Sequence, residues 1–177
     1  RSDDCLQTIS AMRSLGAKIK NFNEQIIIEG IGLNNIKNPN KIIDAGNSGT
    51  LIRLLTGILS VQNFTSTITG DDSLNLRPMR RIISPLVAHG AMIDSNNFRA
   101  PLKIIGNTKL SPIFYKQDVA SAQVKSCLML AALFIEGESK FYEDIVTRNH
   151  TENLLEHLGY DISKSEHEIS FKGCQTL

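Results

Sequence analysis

Apolar positions along the chain fall into two alternating periods. Helical spacing appears at Cys5, Ile9, Met12 and Leu15, returns at Met79, Ile82, Ile83, Leu86 and Val87, and returns again at Thr151, Leu154, Leu155 and Leu158. This is the i, i+3, i+4, i+7 pattern of a one-sided helix. Each stripe runs into a glycine, followed by a short strand containing isoleucine, a polar turn, and an apolar strand ending in a second glycine. The copies are LGAKIKNFNEQIIIEG from Leu15 to Gly30, HGAMIDSNNFRAPLKIIG from His89 to Gly106, and LGYDISKSEHEISFKG from Leu158 to Gly173. Glycine just past a helical stripe is a stop signal, and the strand–turn–strand after it reads as a hairpin.

A further helix precedes that plan twice, over Thr50 to Leu59 and Ala122 to Ile135, each leading into a short strand at Thr65 to Thr69 and Ser139 to Tyr142. The unit read from these residues is helix, strand, helix, strand, strand, with a period of about 70 residues, the scale of a supersecondary repeat. The expected fold class is α/β, built of repeated βαβαββ units. Only the back half of the first copy is visible, so about two and a half units of an expected three are present. The natural protein is expected to extend upstream. Cys127 to Ile135 is apolar nearly all round, which calls for burial on every side. Pro85 should bend the helix that contains it. Repeat-related helices should bring their N-termini to one common face.

Composition narrows the function. The 177 residues fit one domain over 1–177, and 41% hydrophobic with 21% charged residues is ordinary globular usage. The net charge of +1 leaves no general electrostatic grip on nucleic acid or an anionic membrane, so any basic function must be local. The longest apolar run, Cys127 to Ile135, has nine residues, well short of the ~20 that a membrane helix needs. Cys5, Cys127 and Cys174 form no framework and no CxxC, and read as reduced thiols in a cytoplasmic setting. The histidines have no zinc spacing with them, and there is no P-loop, GxGxxG or GxSxG.

The chemistry collects at the helix starts. Gly46-Asn47-Ser48-Gly49-Thr50 leads toward Arg53. Free N–H groups and the helix dipole favour an anion there, and Gly49 permits close approach, although a turn with an N-cap and a structural arginine explains the same residues. At Ser73-Leu74-Asn75-Leu76-Arg77-Pro78, proline marks the first helical position. Arg77 suits either a phosphate or carboxylate held in bidentate fashion, or a salt bridge to Asp71 or Asp72. Ser121-Ala122-Gln123 offers a cap, or hydrogen bonds to a polyol or phosphate, with Lys125 beyond it expected to be solvated. In Thr147-Arg148-Asn149-His150, Asn149 and Glu152 fit a capping box and Arg148 is the candidate anion ligand.

Four blocks then resemble one family. DAGNSGTLIRLLTG (Asp44 to Gly57), GDDSLNLRPMRRIISPLVAHGA (Gly70 to Ala91), SAQVKSCLMLAAL (Ser121 to Leu133) and TRNHTENLLEHLGY (Thr147 to Tyr160) resemble the 3-phosphoshikimate 1-carboxyvinyltransferase (EPSP synthase) family in order and spacing. The resemblance implies two domains of three repeats each, with substrates in the cleft between them. It also implies transfer of the enolpyruvyl group of phosphoenolpyruvate to the 5-hydroxyl of shikimate 3-phosphate, on the route to chorismate and the aromatic amino acids. The products are 5-enolpyruvylshikimate 3-phosphate and phosphate, reached through a tetrahedral intermediate with no metal or organic cofactor. By motif match, Ser121, Ala122, Gln123 and Arg148 would line the shikimate 3-phosphate site. Gly49, Arg77 and Gln123 would line the phosphoenolpyruvate side, where glyphosate also binds.

Some positions depart from the better-known members: Ala122 replaces a second serine, Leu54 a proline, and TRNH a serine–lysine variant. No part of the chain matches the family's upstream lysine–serine…arginine motif or its second domain, which carries the acid/base aspartate and glutamate. No catalytic group is therefore assigned to this chain, and turnover by it alone is expected to be negligible. The expected partners are the two small-molecule substrates and the second domain of the same parent chain. UDP-N-acetylglucosamine 1-carboxyvinyltransferase shares the fold and donor, but its loop cysteine is missing from Gly70 to Leu76. A non-catalytic phosphosugar-binding module is the alternative from another class.

Overall fold

The structure, a computed structural model, describes residues 2–22 and 25–175, so part of the polar turn predicted in the first hairpin lies outside the described residues. Helix α1 (Asp3–Ser14) leads into the antiparallel hairpin β1 (Lys18–Phe22) and β2 (Gln25–Glu29). A complete unit follows: β3 (Ile43–Asp44), α2 (Gly49–Ser60), β4 (Thr65–Thr69), the short α3 (Asp72–Asn75), α4 (Arg80–Ala88), β5 (Met92–Asn96) and β6 (Arg99–Ile105). A second complete unit comprises β7 (Phe114–Lys116), α5 (Ala122–Ala132), β8 (Glu138–Tyr142), α6 (His150–His157), β9 (Ile162–Lys164) and β10 (Glu168–Lys172).

Sheet order makes the repeat explicit. The strands run β3-β4-β6-β5 in one sheet and β7-β8-β10-β9 in the other. In both, the first pair is parallel and the other two are antiparallel. The glycines that end α1, α4 and α6 all sit at positive φ: Gly16 at +104°, Gly90 at +103° and Gly159 at +87°. Strands β3 and β7, of two and three residues, are too short to show the alternation by which a strand is recognised in sequence.

Helices α2 and α5 form the central pair, with α4 packed on both. Gly57 lets them approach: a Cβ there would lie 2.1 Å from the Cys127 carbonyl oxygen. Burial alternates cleanly in β6, where Ala100, Leu102 and Ile104 face the core. The β2 isoleucines Ile26, Ile27 and Ile28 are exposed.

Several expectations shift. Helix α5 ends at Ala132 rather than Ile135, because the next turn tightens to three-residue bonds, with Phe134 N–H donating to Ala131 and Ile135 N–H to Ala132. Helix α4 starts at Arg80, beyond Pro78, and continues through Pro85. In α6, Leu154 and Leu158 are exposed while Glu152 and Leu155 turn inward, and in α1 Cys5 is exposed. A periodic stripe in a short helix cannot tell which edge of an apolar arc meets the core.

Candidate functional site

The start of α2 is built around Gly49. Ser48 caps the helix by accepting the Leu51 N–H at 3.2 Å, leaving other first-turn amides for solvent or a ligand. The Arg53 guanidinium folds back one turn, donating to the Gly49 carbonyl at 3.1 Å and to Gln123 Oε1 at 2.9 Å. Gln123 Nε2 donates in turn to Thr50 Oγ1 at 2.8 Å. One amide thus ties the N-terminus of α5 to that of α2, so these two starts share a face, as the repeat implies. Gln123 keeps a second amide hydrogen and a second lone pair for a ligand.

Arg77 completes this corner. A Cβ on Gly49 would lie 2.8 Å from Arg53 Nη1 and 3.0 Å from Arg77 Nη1, so both guanidinium groups border the space that the glycine leaves open. Arg77 Nη2 donates to Asn47 Oδ1 at 2.9 Å, and Asn47 Nδ2 donates to both Asp71 oxygens at 3.0 and 2.8 Å. The side chain thus reaches Asn47, which stands between it and Asp71, so of the two alternatives for Arg77 the direct salt bridge to Asp71 or Asp72 does not form. Asp71 is held below the usual carboxylate range, first by the Leu74 N–H it caps and then by Asn47. Arg53 is pushed below the usual arginine range, first by burial and then by Arg77 and Arg81. An arginine does not give up its proton at such a site. The crowding instead stores positive potential that an anion relieves.

A second cluster joins α5 to α6. Ser121 caps α5 by accepting the Val124 N–H, which leaves its own O–H free to donate. Its backbone N–H donates to Gln117 Oε1 at 2.8 Å, and Gln117 Nε2 donates to Glu143 Oε1 at 2.7 Å. The same carboxylate oxygen accepts from the Thr147 N–H and hydroxyl. Lys125 is not solvated: its side chain is 1% exposed and lies 2.7 Å from Glu143 and 2.6 Å from Glu152. Nor is there a capping box, because Asn149 makes no side-chain cap bond and Glu152 is spent on Lys125. Arg148 follows Thr147 and is exposed, and Ala122 is half-buried at the start of α5.

Gly49, Arg77 and Gln123 therefore meet through Arg53, while Ser121 is joined to the residue preceding Arg148 through Gln117 and Glu143. Sequence reasoning missed the parts played by Arg53, Asn47, Gln117, Glu143 and Lys125. For Lys125 a signal existed: a lone charge one turn inside an otherwise apolar helix. Cys127, the thiol nearest this corner in sequence, is buried and pushed up to about 12, so it is inert as a nucleophile.

The family model for EPSP synthase (3-phosphoshikimate 1-carboxyvinyltransferase) matches residues 1–177. The chain belongs to this family. It is 47% identical over 171 residues to the 3-phosphoshikimate 1-carboxyvinyltransferase of Ruthia magnifica subsp. Calyptogena magnifica, covering 97% of this chain and 39% of that protein. It is 45% identical over 175 residues to the enzyme of that name from Petrotoga mobilis, covering 40% of it. The solved EPSP synthase of Acinetobacter baumannii superposes with a TM-score of 0.94 at 41% identity, over all of this chain and 40% of that one. The fold is thus that of EPSP synthase, a two-domain enolpyruvyl transferase fold, and this chain spans about 40% of the length of such relatives. Among the described residues no helix is long and apolar enough to cross a membrane.

Proposed function

We propose that this chain supplies part of the substrate site of a cytoplasmic enzyme that moves the enolpyruvyl group of phosphoenolpyruvate onto the 5-hydroxyl of shikimate 3-phosphate. The observation that carries this reading is the cationic corner at Gly49, where the Arg53 and Arg77 guanidinium groups border one open space and Gln123 links it to the α5 start. Phosphoenolpyruvate, with its phosphate and carboxylate groups, matches such a corner in charge. Gly49, Arg77 and Gln123 hold phosphoenolpyruvate; Ser121, Ala122, Gln123 and Arg148 hold shikimate 3-phosphate. Gln123 touches both, which sets acceptor against donor.

The chain's contribution is binding and charge. Fixed guanidinium groups and helix-start amides favour the anionic tetrahedral intermediate over the dispersed charge of the separate substrates. Ala122 offers only its backbone, so the acceptor phosphate relies on the Ser121 hydroxyl and Arg148. Proton transfer falls to groups in the second domain of the parent enzyme, and the isolated chain has negligible turnover.

An NMR titration of the chain with shikimate 3-phosphate, and separately with UDP-N-acetylglucosamine, tests the reading. Saturable shifts at Gly49, Ser121, Gln123 and Arg148 with the first ligand alone are expected. Shifts with UDP-N-acetylglucosamine instead would move the assignment to the sister transferase. Steady phosphate release from both substrates by this chain would overturn the division of labour.

A further inference from the structure

We propose that the buried Lys125–Glu143–Glu152 cluster, acting through Thr147, is a positioning device that fixes Arg148 relative to Ser121 for the phosphorylated acceptor. This rests on the site reading above and names residues outside it. Lys125 lies one turn into α5, its N–H donating to the Ser121 carbonyl at 3.1 Å, and its ammonium reaches carboxylates from two other segments. Glu152 belongs to α6, and Glu143 follows β8. Glu143 gathers four donors, from Lys125, Gln117 and twice from Thr147, while the His167 ring donates to its carbonyl at 2.8 Å. One carboxylate thereby sets both ends of the acceptor site: Ser121 through Gln117 and the Arg148 segment through Thr147.

The fold does not need this cluster. In the preceding unit, Ile52 occupies the place of Lys125, counted from the caps Ser48 and Ser121, and Gly70 follows β4 as Glu143 follows β8. Ile83 precedes Gly90 by the same interval as Glu152 precedes Gly159. Ile52 and Ile83 are buried, and that joint packs without charge. A buried ion cluster is poor at adding stability but good at fixing one geometry, because any slip strands a desolvated charge. Glu152 Oε2 is already buried without a partner, so Glu152 is committed to Lys125 through its other oxygen alone.

The test uses the complete two-domain enzyme that carries this chain. Thr147→Val removes one hydroxyl and keeps the shape; Thr147→Ser restores it. Thr147→Val is expected to raise the KM for shikimate 3-phosphate about tenfold while kcat changes less than about twofold. The KM for phosphoenolpyruvate should stay unchanged, and Thr147→Ser should recover the wild-type value. A role confined to folding would move both KM values together or neither. Arg148→Ala is the control. If it raises the acceptor KM and Thr147→Val does not, the positioning device is wrong and the site reading stands. If Arg148→Ala leaves the acceptor KM unchanged, the site reading falls and the positioning inference falls with it.

Discussion

The two complete repeat units solve the same packing problem with opposite chemistry. Both pair a serine-capped helix with a four-stranded sheet of identical order and a second helix that ends at a positive-φ glycine. Where the helices of the first unit meet, Ile52 and Ile83 are buried and Gly70 brings the chain close to the Gly46 carbonyl. In the second unit, Lys125, Glu143 and Glu152 occupy the corresponding places, all nearly inaccessible. Burying an isoleucine contributes roughly 1.5–3 kcal/mol, whereas a buried ion pair roughly cancels its own desolvation cost. The apolar joint therefore supplies stability and the ionic joint supplies register. Their helix starts differ in the same sense: Gly49 leaves space for two arginines, while Ala122 fills it with a methyl.

The largest effect should come from Lys125→Met, which leaves two buried carboxylates with no counter-charge and should cost about 3–5 kcal/mol. Urea unfolding of the chain would measure it, and a loss under 1 kcal/mol would mean that the joint is far wetter than it looks. Converting the whole joint to its counterpart, with Lys125→Ile, Glu143→Gly and Glu152→Ile together, should bring stability back to within about 2 kcal/mol of the starting protein. Acceptor binding, followed by titration calorimetry with shikimate 3-phosphate, should not recover with it. Recovery of both would erase the distinction between the two joints.

Smaller changes sharpen the contrast at the helix starts. Gly49→Ala makes the first unit resemble the second. The displaced atoms are the mobile ends of Arg53 and Arg77, so thermal unfolding should change by less than about 1 kcal/mol. Phosphoenolpyruvate affinity of the complete enzyme should fall roughly tenfold. The least effect concerns Asp71, whose exposed carboxylate caps α3 while Ser48 and Ser121 cap α2 and α5 with neutral hydroxyls. Its folded value is depressed, so its capping contribution is complete above the ordinary aspartate value of ~3.9 and disappears as pH falls through the lower folded value. The Leu74 amide shift should follow that acid titration and flatten in Asp71→Asn, while Leu51 and Val124 show no matching step.

Much of this is legible in the sequence. The three glycine-ended helices and their hairpins appear where the periodicity put them, because helical spacing and glycine stops are local signals, although Cys5, Leu154 and Leu158 of those stripes stay exposed. The starts of α2, α5 and α6 were also visible, since small, polar and cationic residues there disagree with the apolar pattern behind them. The start expected at Pro78 lies instead at Arg80. The short strands β3 and β7 were not legible, because strand identity in two or three residues comes from the neighbour that pairs with them.

Charge placement was the clearest failure of one-dimensional reading. Lys125 looked solvated and Glu152 looked like a cap, as most such residues are. Only tertiary packing brings Glu143 and Glu152 to one ammonium, and Arg53 and Arg77 to the space beside one glycine. Local periodicity, turn chemistry and the repeat were determined by the sequence itself, since each depends on contacts within a few residues. Which charges are buried, and which stay open to a ligand, was decided by the tertiary structure, because desolvation depends on what distant segments exclude from water.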